Sequence, residues 1–135
     1  MNHDLEDITA MLVASGKGIL SADETVPTST KRFDTLGIQS TEDSRRTYRE
    51  MLSTAAGIEE LISSAIMHDE TIRQRSFGGP PLAQVLASLG IVPGIKVDTG
   101  AKPLAGSPGE TVTEGLDGLR DRLAAYRDMG ARFTN

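Results

Sequence analysis

Gly94-Ile95-Lys96-Val97-Asp98 decides the fold. In an extended strand successive side chains alternate sides, so Lys96 and Asp98 share one surface while Ile95 and Val97 share the other. In an antiparallel sheet with one solvated face, the charged pair is simply the wet side. In a parallel sheet covered on both faces the pair points inward, where charge is rare unless paired or functional. The elements around this stretch choose between the two.

Immediately upstream, Pro80-Pro81 suits a helix start, Leu82, Val85, Leu86 and Leu89 supply an apolar face, and Gly90 supplies a stop. The strand then runs from Ile91 to Asp98. Further upstream, Ser64-Ala65-Ile66-Met67-His68 reads as a strand that turns polar at His68-Asp69-Glu70. A helix before it is announced by Ser40-Thr41-Glu42-Asp43 and continues through Tyr48, Met51, Leu52 and Ala55 to a stop at Gly57. The run Gly18-Ile19-Leu20-Ser21-Ala22 is a short buried strand closing on Asp23-Glu24, with a hydroxyl-rich loop from Thr25 to Thr30 behind it. Leu5, Ile8 and Leu12 predict an amphipathic helix near residues 4–14, ended by Gly16. Downstream, a glycine- and proline-rich loop leads to a helix marked by Leu116, Leu119, Leu123 and Tyr126 and stopped by Gly130. Arg132-Phe133-Thr134-Asn135 begins a fourth strand.

Helices therefore separate the strands throughout. That alternation predicts an α/β fold with a parallel sheet and right-handed crossovers, either an open doubly wound sheet or part of a barrel. In both, ligands sit at the carboxyl ends of the strands, where Asp23, His68, Lys96 and Asp98 all fall.

Composition narrows the class. The 135 residues suit one ordinary domain, and the net charge of -5 with interspersed signs argues against nucleic acid as a partner. Cysteine is absent, so disulfides and thiolate metal sites are excluded, and a cytoplasmic location is the expectation. No apolar run approaches the roughly 20 residues of a membrane span, and the start Met1-Asn2-His3-Asp4-Leu5-Glu6-Asp7 is too acidic for a signal or transit peptide.

Gly16-Lys17-Gly18 stands before a strand, the reverse of a nucleotide-binding P-loop, and no dinucleotide-binding glycine fingerprint is present. His68-Asp69-Glu70 resembles a metal cluster, but neighbouring residues at a strand end diverge, and His3 is the only other histidine. His68 reads more simply as a hydrogen-bonded strand terminus, and Tyr48 and Tyr126 as core residues with satisfied hydroxyls. What remains is Asp23, Lys96 and Asp98, with the hydroxyls of Thr25 and Thr28 beside Lys31-Arg32. A lysine among hydroxyls suits a substrate phosphate, since hydrogen bonds to charged groups contribute about 1.5 to 3 kcal/mol each. An aspartate nearby can move a proton on a substrate hydroxyl. Lys31-Arg32 reads equally well as a solvated helix or loop end.

Several separate motifs then agree. Residues 16–25, Lys31-Arg32-Phe33, Arg45-Arg46-Thr47-Tyr48-Arg49, Gly94-Ile95-Lys96-Val97-Asp98, Pro103-Leu104-Ala105-Gly106, Gly109-Glu110-Thr111 and Gly115-Leu116-Asp117-Gly118-Leu119 resemble class I fructose-bisphosphate aldolases in order and spacing. The resemblance implies a (β/α)8 barrel acting in glycolysis. Such an enzyme cleaves fructose 1,6-bisphosphate to dihydroxyacetone phosphate and glyceraldehyde 3-phosphate through a lysine Schiff base, without metal or other cofactor. It implies that Asp23 assists carbon-carbon cleavage near the C4 hydroxyl. Thr25 and Thr28 then contact the 6-phosphate, Arg32 contributes to substrate binding, Lys96 serves both the reaction and that phosphate, and Asp98 supports Lys96. A homo-oligomer is implied for the full-length enzyme.

Two departures shape the expectation. Asn135 stands where the family has an active-site lysine and carries no charge. The Schiff-base lysine and most of the 1-phosphate site belong to later strands of the family barrel, and such a barrel needs about 250 residues, so 135 supply about four of its eight strands. The expectation is an N-terminal portion, residues 1–135, of a single aldolase barrel domain that lacks Schiff-base activity by itself. The competing reading is a free-standing, non-catalytic α/β module that binds a sugar phosphate or pairs with another chain.

Overall fold

The computed structural model describes residues 5–135. His3, and Asp4 at the start of the first expected helix, lie outside the described residues. The chain runs α1 (Leu5–Leu12), β1 (Gly18–Ala22), α2 (Val26–Thr35), α3 (Glu42–Ser53), α4 (Ile58–Leu61), β2 (Ile62–Met67), α5 (Asp69–Arg73), α6 (Leu82–Ser88), β3 (Val92–Ile95), β4 (Gly100–Pro103), β5 (Thr111–Glu114), α7 (Leu119–Asp128) and β6 (Phe133–Thr134).

Four strands form one sheet in the order β1-β2-β3-β6, and every pairing in it is parallel. This is the parallel class that the helix-strand alternation predicts. The pleat sorts the side chains into two faces. Leu20, Ala65, Met67 and Ile95 point toward the helices and join Ile72, Ala83, Leu86 and Tyr126 in the main apolar core. Met67, Ile91 and Ile95 are its largest fully buried side chains. Burying each such side chain contributes about 1.5 to 3 kcal/mol, which makes this layer the principal source of stability.

The opposite face carries Ile19, Ser21, Ser64, Ile66, Val92, Gly94 and Phe133 by register. Gly94 is required there: a Cβ at this position would lie 2.4 Å from Cζ of Phe133, so the ring occupies the space that a side chain would fill. The sheet curls strongly about this face. Asn135 Nδ2, past the last strand, comes within 3.5 Å of Asp23 Oδ2, past the first, although two strands separate them. That concavity is the curvature of a barrel wall.

Four local expectations change. Residues 25–30 are not a loop: Thr25 caps α2, and Pro27 sits in its first turn, where a missing N–H costs nothing. The glycine- and proline-rich stretch contains an antiparallel hairpin, β4 with β5. Two short helices, α4 and α5, interrupt stretches read as connections. The strand expected from Ile91 to Asp98 is regular only over Val92–Ile95, yet the Lys96 amide still donates to the Met67 carbonyl at 2.9 Å, and Val97 still packs on the core. The helix announced by Ser40-Thr41 begins with a capping box, in which Thr41 and Ser44 satisfy each other's amides.

Candidate active site at the carboxyl ends of the strands

Register lines up one residue beyond each strand. Ala22 pairs with Met67, Met67 with Ile95, and Ile95 with Thr134. The next residues are Asp23, His68, Lys96 and Asn135, and alternation turns all four to the concave face.

On β1's side the chain leaves Asp23 and enters α2. Thr25 has the extended backbone of an N-cap; its Oγ1 accepts from the Thr28 amide at 3.4 Å and lies 3.1 Å from the Thr28 hydroxyl. The two hydroxyls thus crown a helix N-terminus, where the dipole favours an anion. Lys96 reaches from the end of β3 and donates through Nζ to Asp98 Oδ2. Asp98 Oδ1 also accepts from the Gly100 amide at 2.9 Å. The Lys96 hydrogen bond holds the Asp98 carboxyl below its ordinary range, with the Gly100 amide adding to it against partial burial. The backbone behind Asp98 is closely packed. A Cβ on Gly115, whose φ is +153°, would lie 2.8 Å from Asp98 Cα. Arg122 bridges the Val97 carbonyl at 3.1 Å and the Gly115 carbonyl.

A cavity of about 570 Å³ opens here, lined among others by Thr25, His68, Asp69, Lys96, Asp98 and Tyr126. A slightly larger groove of about 620 Å³ lies at the opposite, amino end of the strands, between Met11, Ile91, Pro93 and Met129, away from every candidate residue.

Behind the site stands a buried ion network. Arg45 meets Glu70 through Nε at 2.9 Å and Nη2 at 2.6 Å, and Arg49 meets the same carboxylate at 2.6 Å. The Arg45 hydrogen bond, then that of Arg49, holds Glu70 down to about 2 against the opposing effect of burial. Arg49 also donates to the Glu24 carbonyl at 3.4 Å, which ties the segment after Asp23 to α3.

His68 is half-buried, and its Nδ1 accepts from the Glu70 amide at 3.3 Å, capping α5. Burial, followed by the charge of Arg49, lowers its pKa, so the imidazole is neutral near pH 7 and carries its proton on Nε2. Tyr126 is buried and donates to Asp69 Oδ1 at 2.8 Å, whereas Tyr48 is only half-buried, edge-on to Phe33 at 5.7 Å.

The structure therefore brings Thr25, Thr28, Lys96 and Asp98 together at one end of the molecule. Asp23 lies in the same row but contacts Asn135, and Arg32, exposed further along α2, is ion-paired with Glu24. Glu24, Arg45, Arg49 and Glu70 are participants that the sequence reading did not assign. The i,i+4 arginine pair on α3 was visible, but its partner was not. Among the described residues, no group of three or more His, Cys, Asp or Glu side chains is arranged to hold a metal ion.

The family model described as glycolytic fructose-bisphosphate aldolase class I matches residues 4–135. The chain belongs to the class I fructose-bisphosphate aldolase family. It is 55% identical over 131 residues to a probable fructose-bisphosphate aldolase class 1 of Xanthomonas campestris, covering 97% of this chain and 39% of that protein. It is 46% identical to human fructose-bisphosphate aldolase C, with 96% of this chain and 36% of that protein covered. A solved structure of fructose-bisphosphate aldolase from Plasmodium falciparum, in complex with TRAP and a small-molecule inhibitor, superposes with a TM-score of 0.90 at 41% identity. That match covers 94% of this chain and 37% of the other. The chain thus spans under two fifths of the length of these aldolases, and its parallel sheet is part of the aldolase barrel. Among the described residues, no helix is long and apolar enough to cross a membrane.

Proposed function

We propose that residues 1–135 form the N-terminal portion of a single aldolase barrel domain and hold the 6-phosphate half of fructose 1,6-bisphosphate. The full enzyme, a cytoplasmic homo-oligomer, cleaves this sugar reversibly to dihydroxyacetone phosphate and glyceraldehyde 3-phosphate. One observation carries the reading: the Thr25 and Thr28 hydroxyls at the start of α2 share the strand-end face with Lys96, and a cavity lined by Thr25 and Lys96 opens between them.

In this reading the Thr25 and Thr28 hydroxyls donate to phosphate oxygens at the α2 N-terminus, and Lys96 supplies the counter-charge. Asp98 stores the ammonium in position until phosphate arrives. Arg32 joins the phosphate by exchanging its Glu24 partner. Asp23 takes the proton from the C4 hydroxyl as the C3–C4 bond breaks, and the electrons pass to a Schiff base formed on a lysine of a later barrel strand. Asn135 stands in the position of a family lysine and holds Asp23 through a neutral amide, without adding positive charge to the site.

Two measurements test this. In the protein expressed from its complete reading frame, Lys96→Met raises the KM for fructose 1,6-bisphosphate by about ten- to a hundredfold, the value of one lost charge-assisted hydrogen bond. An unchanged KM removes Lys96 from the phosphate site. Residues 1–135 expressed alone give no covalent adduct when borohydride is added with dihydroxyacetone phosphate; a trapped lysine in that chain contradicts the assignment of the Schiff base to a later strand.

A further inference from the structure

His68 is the one member of the strand-end row that the proposed chemistry leaves unused. Its position is fixed from two sides. Register sets it between Asp23 on the β1 side and Lys96 on the β3 side. Adjacent parallel strands lie about 4.8 Å apart, so each neighbour is roughly one strand spacing away. The N-cap bond to the Glu70 amide occupies Nδ1, which fixes both the ring orientation and the tautomer. The remaining ring nitrogen, Nε2–H, belongs to a side chain lining the same cavity as Thr25 and Lys96.

Given the orientation of substrate proposed above, on which this inference rests, C4 lies at Asp23 and the 6-phosphate at Lys96. Between them lie C5 and C6; C6 carries the phosphate ester, so the hydroxyl that falls between the two anchors is that of C5. We infer that His68 is a substrate-binding residue whose Nε2–H donates a hydrogen bond to the C5 hydroxyl oxygen. The histidine thereby reads the substrate between its reacting carbon and its phosphate, and the short helix α5 serves as the device that orients the ring. A phosphate alone does not use this contact.

Two substitutions separate binding from capping. Asn places an acceptor where Nδ1 stands and is a favoured N-cap, but it does not reach the Nε2 position. Gln places a donor near Nε2 and gives up the local acceptor. The probes are fructose 1,6-bisphosphate and its 5-deoxy analogue, assayed for cleavage by wild type, His68→Asn and His68→Gln in the protein expressed from its complete reading frame, each with a thermal melt. The analogue cannot close the furanose ring, but this affects all three proteins equally, so the ratio of kcat/KM values between the two substrates isolates the C5 contact.

Wild type is expected to prefer the natural substrate, and about three- to tenfold of that preference is expected to vanish in His68→Asn while its melting temperature stays near wild type. His68→Gln is expected to retain the preference but melt lower. The inference is overturned if His68→Asn discriminates as wild type does, or if the preference tracks melting temperature across the three proteins. If wild type cleaves neither substrate, the proposed function itself fails, and the His68 assignment falls with it. Cleavage with unaltered discrimination removes only His68.

Discussion

Glu70 shows how much of the site depends on one side chain. It neutralises two guanidiniums that are almost wholly enclosed, Arg45 at 9% and Arg49 at 4% exposure. Replacing it with Gln removes the counter-charge while leaving both cations buried, and such half-broken buried pairs cost roughly 3 to 5 kcal/mol. Urea unfolding at pH 7 should show a loss of about 3 kcal/mol in Glu70→Gln. The pH dependence has a definite sign. A carboxyl held at about 2 when folded and near 4.5 when unfolded contributes stability that is fully present above pH 4.5 and disappears as pH falls through about 2. The gap between wild type and Glu70→Gln should therefore be constant from pH 7 to about 5 and narrow toward pH 2; a gap that widens in acid contradicts the network. This partnership was not legible in sequence. Glu70 is 25 residues from Arg45 and 21 from Arg49, and only the tertiary fold, which brings its carboxylate to both guanidiniums, selects it from the other acids nearby. Lys96 was legible because strand alternation and strand-end position are local rules. Asp98 was legible for the same reason, being two residues further along the same face.

At the scale of elements, the last strand is held by a fit between residues with no charge at all. Phe133 of β6 lies against Gly94 of β3, its register partner. Gly94→Ala introduces a methyl 2.4 Å from the ring, and the ring must move. Overpacking of this kind costs about 1 to 3 kcal/mol. Phe133→Leu, made in the same chain, should recover part of that loss, so a double-mutant cycle by thermal unfolding is expected to give a favourable coupling of about 0.5 kcal/mol or more. Strict additivity means that the ring does not occupy the glycine's space. The same strands explain what sequence reading could find. β2 and β3 are buried over nearly their whole length and read as apolar runs closed by glycine or polar residues. β5 is exposed at all four positions, so no buried face imposes a pattern and the hairpin passed for a loop. The start of α2 reads as a hydroxyl-rich loop in sequence because hydroxyl residues are common to loops and to N-caps; in the structure Thr25 caps the helix and its hydroxyl lies 3.1 Å from that of Thr28.

At the scale of the molecule, the order of strands and helices was enough to derive a covered parallel sheet, because parallel neighbours require crossovers and the crossovers here are helices. Its curvature was not, since alternation is common to open sheets and barrels, and only the approach of Asn135 to Asp23 across the concave face distinguishes them. A curled four-stranded wall has two outer strands, β1 and β6, each hydrogen-bonded within the sheet on one side only. β1 leaves Ile19 49% exposed on the concave face. Unpaired strand edges flanked by apolar surface act as templates for another chain. In the relatives, which are more than twice as long, further barrel strands are available to cover such edges. Residues 1–135 expressed alone are therefore expected to self-associate, with a sedimentation coefficient that rises with concentration. Ile19→Lys should shift that association to higher concentration by placing charge beside the exposed edge. The protein from the complete reading frame, with its strands paired within the barrel, should respond to the same substitution by losing stability instead, because the lysine would then face a closed interior. A monomeric 1–135 chain at every concentration contradicts the edge argument, and an Ile19→Lys change that leaves full-length stability untouched contradicts the assignment of that face to the barrel interior.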